Sequence, residues 1–476
     1  MLDSIRKTKI VCTIGPSCRN INIIKNMINA GLNVARINLS HGSRGEHKNT
    51  IEIIKEARKE LDTAIAILLD TRGPEIRLKQ FKDDEVKLIS GDEFILTVET
   101  ILGNNEKAAI TYEELPKEVK INDQILIDDG KISLRVLNTD EKEIRCKVIR
   151  GGKISDHKGI NVPHVKLSMG YLNDKDIDDI KFGIEKGIEY VAGSFVRRKD
   201  DVIALRNLLD DNNGKNVKII AKIENNEGLD NFEEIMKIAD GIMVARGDMG
   251  VELAYESLPG IQKKVIRRCR EEGKIVITAT QMLESMIKSS VPTRAEITDV
   301  ANAVFDGTSA VMLSGETAMG DYPVEAVSTM SKIAMRAEKD IPTLSLVKFE
   351  SENLPEDTTN AVSHGACTLA DDIEATALMA ITKSGYTALK MAKFRPNITV
   401  LASTPSYEVY NSLALVWGVK PMMVDNANKA EKLLDKSIEQ AKTEGHLLIG
   451  DKVVVSLGVP IDISGNTNTI RVIEVK

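Results

Sequence analysis

The sequence runs to 476 residues, with 64 lysines and arginines against 71 acidic side chains and a formal net charge of −7. That length exceeds what one hydrophobic core organises, so two to four domains are expected, and the 42 % hydrophobic fraction is ordinary for a globular protein. The mildly acidic balance argues against sequence-independent nucleic-acid binding, which needs a basic footprint, and no window approaches the roughly 18 apolar residues of a membrane span.

Five cysteines (Cys12, Cys18, Cys146, Cys269 and Cys367) are scattered without a CxxC pair, which supports neither a disulfide framework nor a zinc site. Reduced thiols in a cytoplasmic compartment are expected. The N-terminus carries Asp3, Arg6 and Lys7 and lacks an apolar run, so it does not read as a secretory signal.

Along the chain, short β-branched runs alternate with longer amphipathic stretches. Strands are predicted at Lys9–Gly15, Asn33–Ser40, Ala64–Thr71, Tyr190–Val196, Lys218–Glu224, Gly241–Asp248, Lys274–Gln281 and Ser309–Glu316, with helical patterns such as Asn22–Asn29, His47–Leu61, Asp174–Lys186 and Ala295–Phe305 between them. Eight parallel strands with intervening helices predict an α/β fold, a (β/α)8 barrel. The gap between Thr71 and Tyr190 is several times a normal connection. It holds further strand-like runs (Glu93–Val98, Gln124–Ile127, Lys131–Val136, Glu143–Val148) and reads as a small all-β domain inserted after Pro74, rejoining near Lys166, and suited to act as a lid. Beyond an irregular stretch at 341–357 containing Pro342 and Pro355, a separate α/β domain is expected: helix Thr359–Asp371, strand Ala377–Thr382, helix Ala388–Lys393, then strands Thr399–Ala402, Lys452–Ser456 and Thr469–Val475. The expected division is therefore barrel 1–73 and 167–340, lid 74–166 and C-terminal domain 341–476.

Polar residues close most of the barrel runs: Arg36, Asn38 and Ser40; Asp70 and Thr71; Lys222 and Glu224; Asp248; Thr280; Ser314 and Glu316. Any one of these is as well explained by a loop beginning there. Their convergence on the C-terminal face of a barrel, where barrel enzymes place their chemistry, is harder to explain that way. Glu224 and Asp248 suit a hard divalent cation, magnesium or manganese, with water and substrate oxygens completing its shell. Arg36 offers a permanent forked cation for phosphoryl oxygens. Asn38, Ser40, Asp70 and Thr71 form a low-charge oxygen set better suited to a monovalent ion. Gly247 and Gly250 flank Asp248, and the amides there suit an anion, although alone the segment reads as a tight turn. Phosphoryl transfer needs cations around an in-line path rather than covalent chemistry, and this face supplies them.

In the last domain Thr382, Lys383, Ser384, Gly385 and Thr387 lie between a predicted strand and helix, a plausible phosphate cradle or simply a capped helix start. There is no GxGxxG, and the closest P-loop look-alike, Gly445 to Gly450, is followed by Asp451 where lysine is needed.

The segments NVARINLSHG (33–42), LDTRGPEIR (69–77), AKIENNEG (221–228), GIMVARGDMG (241–250), TATQMLESM (278–286), PTRAEITDVANAV (292–304) and MLSGETAMGDYPVEAV (312–327) closely resemble those of pyruvate kinases. The resemblance implies a phosphotransferase acting between phosphoenolpyruvate and ADP to give pyruvate and ATP in glycolysis. Arg36 then corresponds to the phosphate contact, and Lys222 to the lysine stabilising phosphoryl and enolate charge. Glu224 and Asp248 resemble the divalent-metal ligands, Gly247 and Asp248 the amides facing the substrate carboxylate, and Thr280 the substrate hydroxyl near enolate protonation. Asn38, Ser40, Asp70 and Thr71 resemble the potassium ligands; Arg77 and Lys158 resemble nucleotide contacts delivered by the lid. Glu75 marks potassium dependence in the family, while Leu78 departs from the threonine common after Arg77. The cradle at 382–387 resembles the loop that binds a phosphorylated allosteric effector, faced by a Gly- and Thr-rich loop at Asp462–Thr469, and a homotetramer is implied. The segment some animal forms use for fructose 1,6-bisphosphate and the phosphohistidine-type domain of some bacterial relatives are not matched. Two rivals are a non-catalytic metabolite sensor on the same fold and a different barrel enzyme acting on phosphoenolpyruvate.

Overall fold

The computed structural model describes residues 5–341, 357–460 and 465–476. The irregular stretch expected at 341–357 lies almost wholly outside the described residues, as does the start of the 462–469 loop.

The eight predicted barrel runs form a closed parallel barrel. Its strands are Lys9–Thr13, Val34–Asn38, Ala66–Asp70, Tyr190–Gly193, Lys218–Ile223, Gly241–Ala245, Ile275–Ala279 and Ala310–Leu313, numbered one to eight below, and strand eight pairs back onto strand one. Each is shorter at its C-terminal end than the apolar run suggests. Asp248 lies in the first turn of the helix Arg246–Glu252, and Glu316 in the short helix Gly315–Ala318, rather than on strands. Helix starts are fixed by local chemistry: Ser43 and Glu46 form a capping box at Arg44–Glu60, and Thr293 and Glu296 form another at Arg294–Asp306.

Alternation along the strands makes two cores. Outward side chains such as Ile10, Ile37, Ile67 and Val244 pack beneath the helices. Inward ones, including Val34, Leu68, Tyr190, Ile220 and Met312, form a cluster that continues without a break into the C-terminal domain through Ala366, Leu378 and Val400. The base of the barrel is thus sealed by that domain; Tyr190 Oη donates to the Ser412 carbonyl at 2.6 Å.

Between strands three and four, residues 76–161 build a seven-stranded sheet, antiparallel except for one parallel pair, and a separate two-stranded ribbon, with one helical turn at Leu115–Glu118. They bury their own core around Phe94, Leu134 and Ile144. The C-terminal five-stranded sheet is parallel except for its last strand, Thr469–Glu474.

Candidate active site at the barrel mouth

Asp70, at the end of strand three and 1 % exposed, is the hub of the mouth. Its Oδ2 accepts from Arg36 Nε at 2.6 Å, and its Oδ1 accepts from Lys222 Nζ at 3.0 Å. Strands two, three and five therefore meet through one carboxylate. Thr13 on strand one accepts from Arg36 Nη1 at 2.7 Å and fixes the far side of the guanidinium. Ser194, one residue past strand four, takes a hydrogen bond from Lys222 Nζ at 2.8 Å, and its own hydroxyl faces Asp70 Oδ1 (3.1 Å) and the Thr71 carbonyl (2.7 Å). Neither Thr13 nor Ser194 was expected at the site. Ser194 sits one position beyond a strand end, as Thr71, Glu224 and Thr280 do, and that position was its signal.

Lys222 also lies 3.0 Å from Glu224, as same-side alternation on strand five requires. Glu224 is 1 % exposed, and its other oxygen accepts from the Phe195 amide at 2.6 Å. Burial lowers the proton affinity of Lys222, but Asp70 and Glu224 more than reverse this and leave it above the ordinary lysine range. Burial likewise raises Asp70, yet Arg36 and Lys222 hold it below the usual carboxylate value. Glu224 is raised, by burial against the pull of Lys222, with Asp248 and Asp70 adding to the rise. A buried carboxylate, Glu224, and a half-buried one, Asp248, make a donor pair that fits a hard divalent ion. Among the described residues no group of three or more acidic, histidine or cysteine side chains is placed to hold a metal ion by itself, so the remaining ligands of such an ion would come from water or substrate.

The expected monovalent set comes from the ends of strands two and three and is less open. Asn38 Oδ1 accepts from the Ser40 amide at 3.1 Å and Thr71 Oγ1 from the Ser194 amide at 3.1 Å, while Asp70 is shared as above. All are oxygen donors of low total charge, a set that fits potassium. Thr280 follows strand seven in a left-handed conformation (φ 68°), and its Oγ1 accepts from the Gly247 amide at 2.8 Å. The Gly247 N–H expected to face an anion is thus satisfied internally by a neutral hydroxyl.

A cleft of about 700 Å³ opens between this mouth and the inserted sheet. Asp248, Phe195 and Asn226 line its barrel side, and Arg77, Asp128 and Lys158 its lid side. Arg77 pairs with Glu75 at 2.6 Å and Lys158 with Asp128 at 2.9 Å. The lid is tethered to the barrel by Asn161 Nδ2 donating to Glu252 at 3.1 Å.

In the C-terminal domain, Thr382, Lys383, Ser384 and Thr387 line a small cavity of about 40 Å³ with Gly465, Asn466 and Thr467 of the facing loop. Gly385 caps the helix Tyr386–Lys393 at φ 82°, and its amide donates to Thr382 Oγ1 at 3.0 Å. Thr387 meets Thr467 hydroxyl to hydroxyl at 2.7 Å, joining the two loops.

Residues 5–327 match the family model described as the pyruvate kinase barrel domain, and residues 360–473 match its alpha/beta domain. A pyruvate kinase of Clostridium acetobutylicum is 44 % identical over 469 residues, 98 % of this chain and 99 % of that protein. One of Staphylococcus aureus is 44 % identical over 470 residues, 98 % of this chain and 80 % of that protein. A crystal structure of a pyruvate kinase from Cryptosporidium parvum superposes with a TM-score of 0.92 at 39 % identity, covering 100 % of this chain and 97 % of the other. With a mouth that gathers an arginine, a lysine and three carboxylates under a β-rich insertion, and with these matches across both its parts, the chain belongs to the pyruvate kinase family, phosphotransferases of glycolysis.

Proposed function

We propose that the barrel mouth carries out phosphoryl transfer from phosphoenolpyruvate to ADP with Arg36 and Lys222 as the charge-stabilising groups, Glu224 and Asp248 as ligands of a divalent ion, and Asn38, Ser40, Asp70 and Thr71 as ligands of potassium. The observation that carries this reading is the shared carboxylate: Asp70 holds Arg36 and Lys222 at 2.6 and 3.0 Å, so two cations from different strands converge on one anion. A transferring phosphoryl group supplies anionic oxygens to the same two cations.

In this mechanism a terminal oxygen of ADP attacks phosphorus in line, and the bond to the enol oxygen breaks. Arg36 neutralises the equatorial oxygens, and Lys222, kept charged by its carboxylates, follows the charge onto the departing enolate oxygen. The divalent ion, when bound, contributes Lewis-acid stabilisation of those same oxygens. The enolate then takes a proton from water at its methylene carbon, with Thr280 placing a hydroxyl beside it to relay that proton. A substrate carboxylate, a stronger acceptor than a hydroxyl, would compete with Thr280 Oγ1 for the Gly247 amide. Arg77 and Lys158, across the cleft, meet the nucleotide phosphates when the lid closes; each now rests on a carboxylate that it can exchange for phosphate.

The cavity at 382–387 takes the phosphate of an allosteric effector, lined by its hydroxyls and Lys383 on one side and by the loop at 465–467 on the other. Glu75 in place beside Arg77 supports potassium activation. Exposed apolar side chains such as Tyr255, Val291 and Met319 leave surface for assembly into a homotetramer, and five buried free thiols suit a reducing cytoplasm.

The test is pyruvate formation from phosphoenolpyruvate and ADP with magnesium, in potassium against sodium, for wild type and Lys222→Met. Turnover that rises with potassium and falls on the order of 10³-fold in the variant is expected. A wild type without turnover, effectors included, would leave a metabolite sensor as the better reading.

A further inference from the structure

Thr280 and Gln281 both occupy the left-handed region, at φ 68° and 55°. Neither is glycine, and threonine is β-branched, for which this conformation is a true outlier. Such strain persists only where neighbouring groups over-determine it. The neighbours here are specific. Arg246, the first residue of the helix that carries Gly247 and Asp248, donates from Nη2 to the carbonyls of Thr280 (2.7 Å) and Gln281 (3.3 Å). Its Nη1 donates to both oxygens of Asp299, at 2.8 and 2.7 Å, on the helix Arg294–Asp306. The Gly247 amide donates to Thr280 Oγ1, whose proton goes to the Ala279 carbonyl at 2.6 Å. Downstream, fully buried Glu316 accepts the Leu283 amide at 3.0 Å and closes the loop's other end.

We infer that Arg246, braced by Asp299, is a positioning residue: it clamps two strained carbonyls so that the Thr280 hydroxyl is held in register with the Gly247–Asp248 turn. The inference rests on the reading of Thr280 as a substrate-facing hydroxyl. Both terminal nitrogens of Arg246 are spent on the loop and on Asp299. Without Arg246 the carbonyls of Thr280 and Gln281 lose their cationic partner, and relaxation of the two residues to negative φ, which would swing the hydroxyl off the Gly247 amide, is opposed only by the weaker bonds at Gly247 and Leu283. Displacements of about 1 Å at a positioning group cost on the order of 10²-fold in rate.

The experiment compares wild type, Arg246→Met, Asp299→Asn, Thr280→Ala and their combinations with Gln281→Gly. Arg246→Met is expected to lower kcat by about 10²-fold with KM for phosphoenolpyruvate within about threefold. Asp299→Asn, the milder change should Arg246→Met fail to fold, is expected to cost about tenfold. Adding Gln281→Gly to Arg246→Met should return about tenfold, because glycine adopts positive φ freely. A purely structural role would not produce that recovery. In the Thr280→Ala background, Arg246→Met should add less than about threefold. Full additivity there, or no recovery with glycine, overturns the inference. If Thr280→Ala turns over like wild type, the role of Thr280 falls instead. The clamp is then judged on amide hydrogen exchange across residues 278–284, which Arg246→Met must accelerate and which an unchanged rate would refute.

Discussion

The two ends of the barrel bury cations in opposite ways. At the mouth, Arg36 and Lys222 are matched to carboxylates, and Lys222 is held above its ordinary proton affinity. At the base, where the C-terminal domain packs, Arg6, Lys9 and Arg395 are bonded to neutral oxygens. Lys9 donates to the Val419 carbonyl at 2.7 Å, Arg6 to the carbonyls of Thr8 and Gly31, and Arg395 to the Gly307 carbonyl at 2.8 Å. Glu338 is the carboxylate that all three feel, and its oxygens are already bonded to the amides of Lys7 and Thr8. Burial therefore dominates: Lys9 is pulled down to about 7 and Arg395 to about 9, with the neighbouring cations Arg6 and Arg270 adding to the fall. A carboxylate can be exchanged for a substrate phosphate, and a carbonyl cannot. On the proposed function the carboxylates at the mouth give way to substrate, whereas the base uses cations as pegs between domains.

The largest expected effect is at the mouth. Asp70→Asn keeps the shape but leaves Arg36 and Lys222 facing a neutral amide. Removing one partner from a buried charge network costs about 3–5 kcal/mol, and mis-set electrostatics at a site of charge development costs about 10²–10³-fold in turnover. Denaturant unfolding and steady-state kinetics on one preparation should show both losses. Wild-type turnover in this variant would mean that the Arg36–Asp70–Lys222 contact is only a resting arrangement.

Much of this contrast was legible beforehand, though unevenly. The barrel strands announced themselves as apolar runs because parallel strands are covered on both faces, and the mouth followed because charged residues at the ends of such runs have no core to enter. What stayed hidden depends on contacts remote in sequence. Ser194 and Thr13 carry no charge, and only the closed barrel brings them to Lys222 and Arg36. The edge strand Val419–Met423 went unread because Pro421 within it argues against a strand; its place at the sheet edge makes the proline tolerable. The helix Ala430–Thr443, absent from the sequence expectations, buries Leu433, Leu434, Ile438 and Ala441 along one face of an amphipathic pattern. Lys9 read as the polar start of a strand. Nothing local reveals that another domain covers it.

A middle-sized effect follows from Lys9. Its folded value near 7 lies below the unfolded lysine value near 10.4, so between those limits the unfolded chain binds the extra proton. The cost of burying this charge is complete below about pH 7 and disappears as pH rises through the unfolded value. Lys9→Met removes the charge and one hydrogen bond worth about 1 kcal/mol. The variant's thermal midpoint should exceed that of wild type at pH 6, with the gap narrowing by about pH 10. A pH-independent gap would mean that Lys9 is hydrated at the junction and would weaken the contrast between the two ends.

The smallest effect is expected at Arg395, despite its burial. Nη2 makes the bonds to Gly307 and Ser309, the latter at 3.4 Å, and the guanidinium lies 4.4 Å over Trp417, the only tryptophan in the chain. Two hydrogen bonds at about 1 kcal/mol each and a desolvated cation–π contact of about 2 kcal/mol favour the arginine. Against them stand Nε and Nη1, buried without an acceptor, at about 1–3 kcal/mol apiece. The sums nearly cancel, so Arg395→Met should change stability by no more than about 1 kcal/mol while altering Trp417 emission, which reports on the junction directly. A loss near the 3–5 kcal/mol expected of Asp70→Asn would instead require that the two bare nitrogens are satisfied in solution by water. The base would then be as well matched as the mouth, only by solvent rather than by carboxylates.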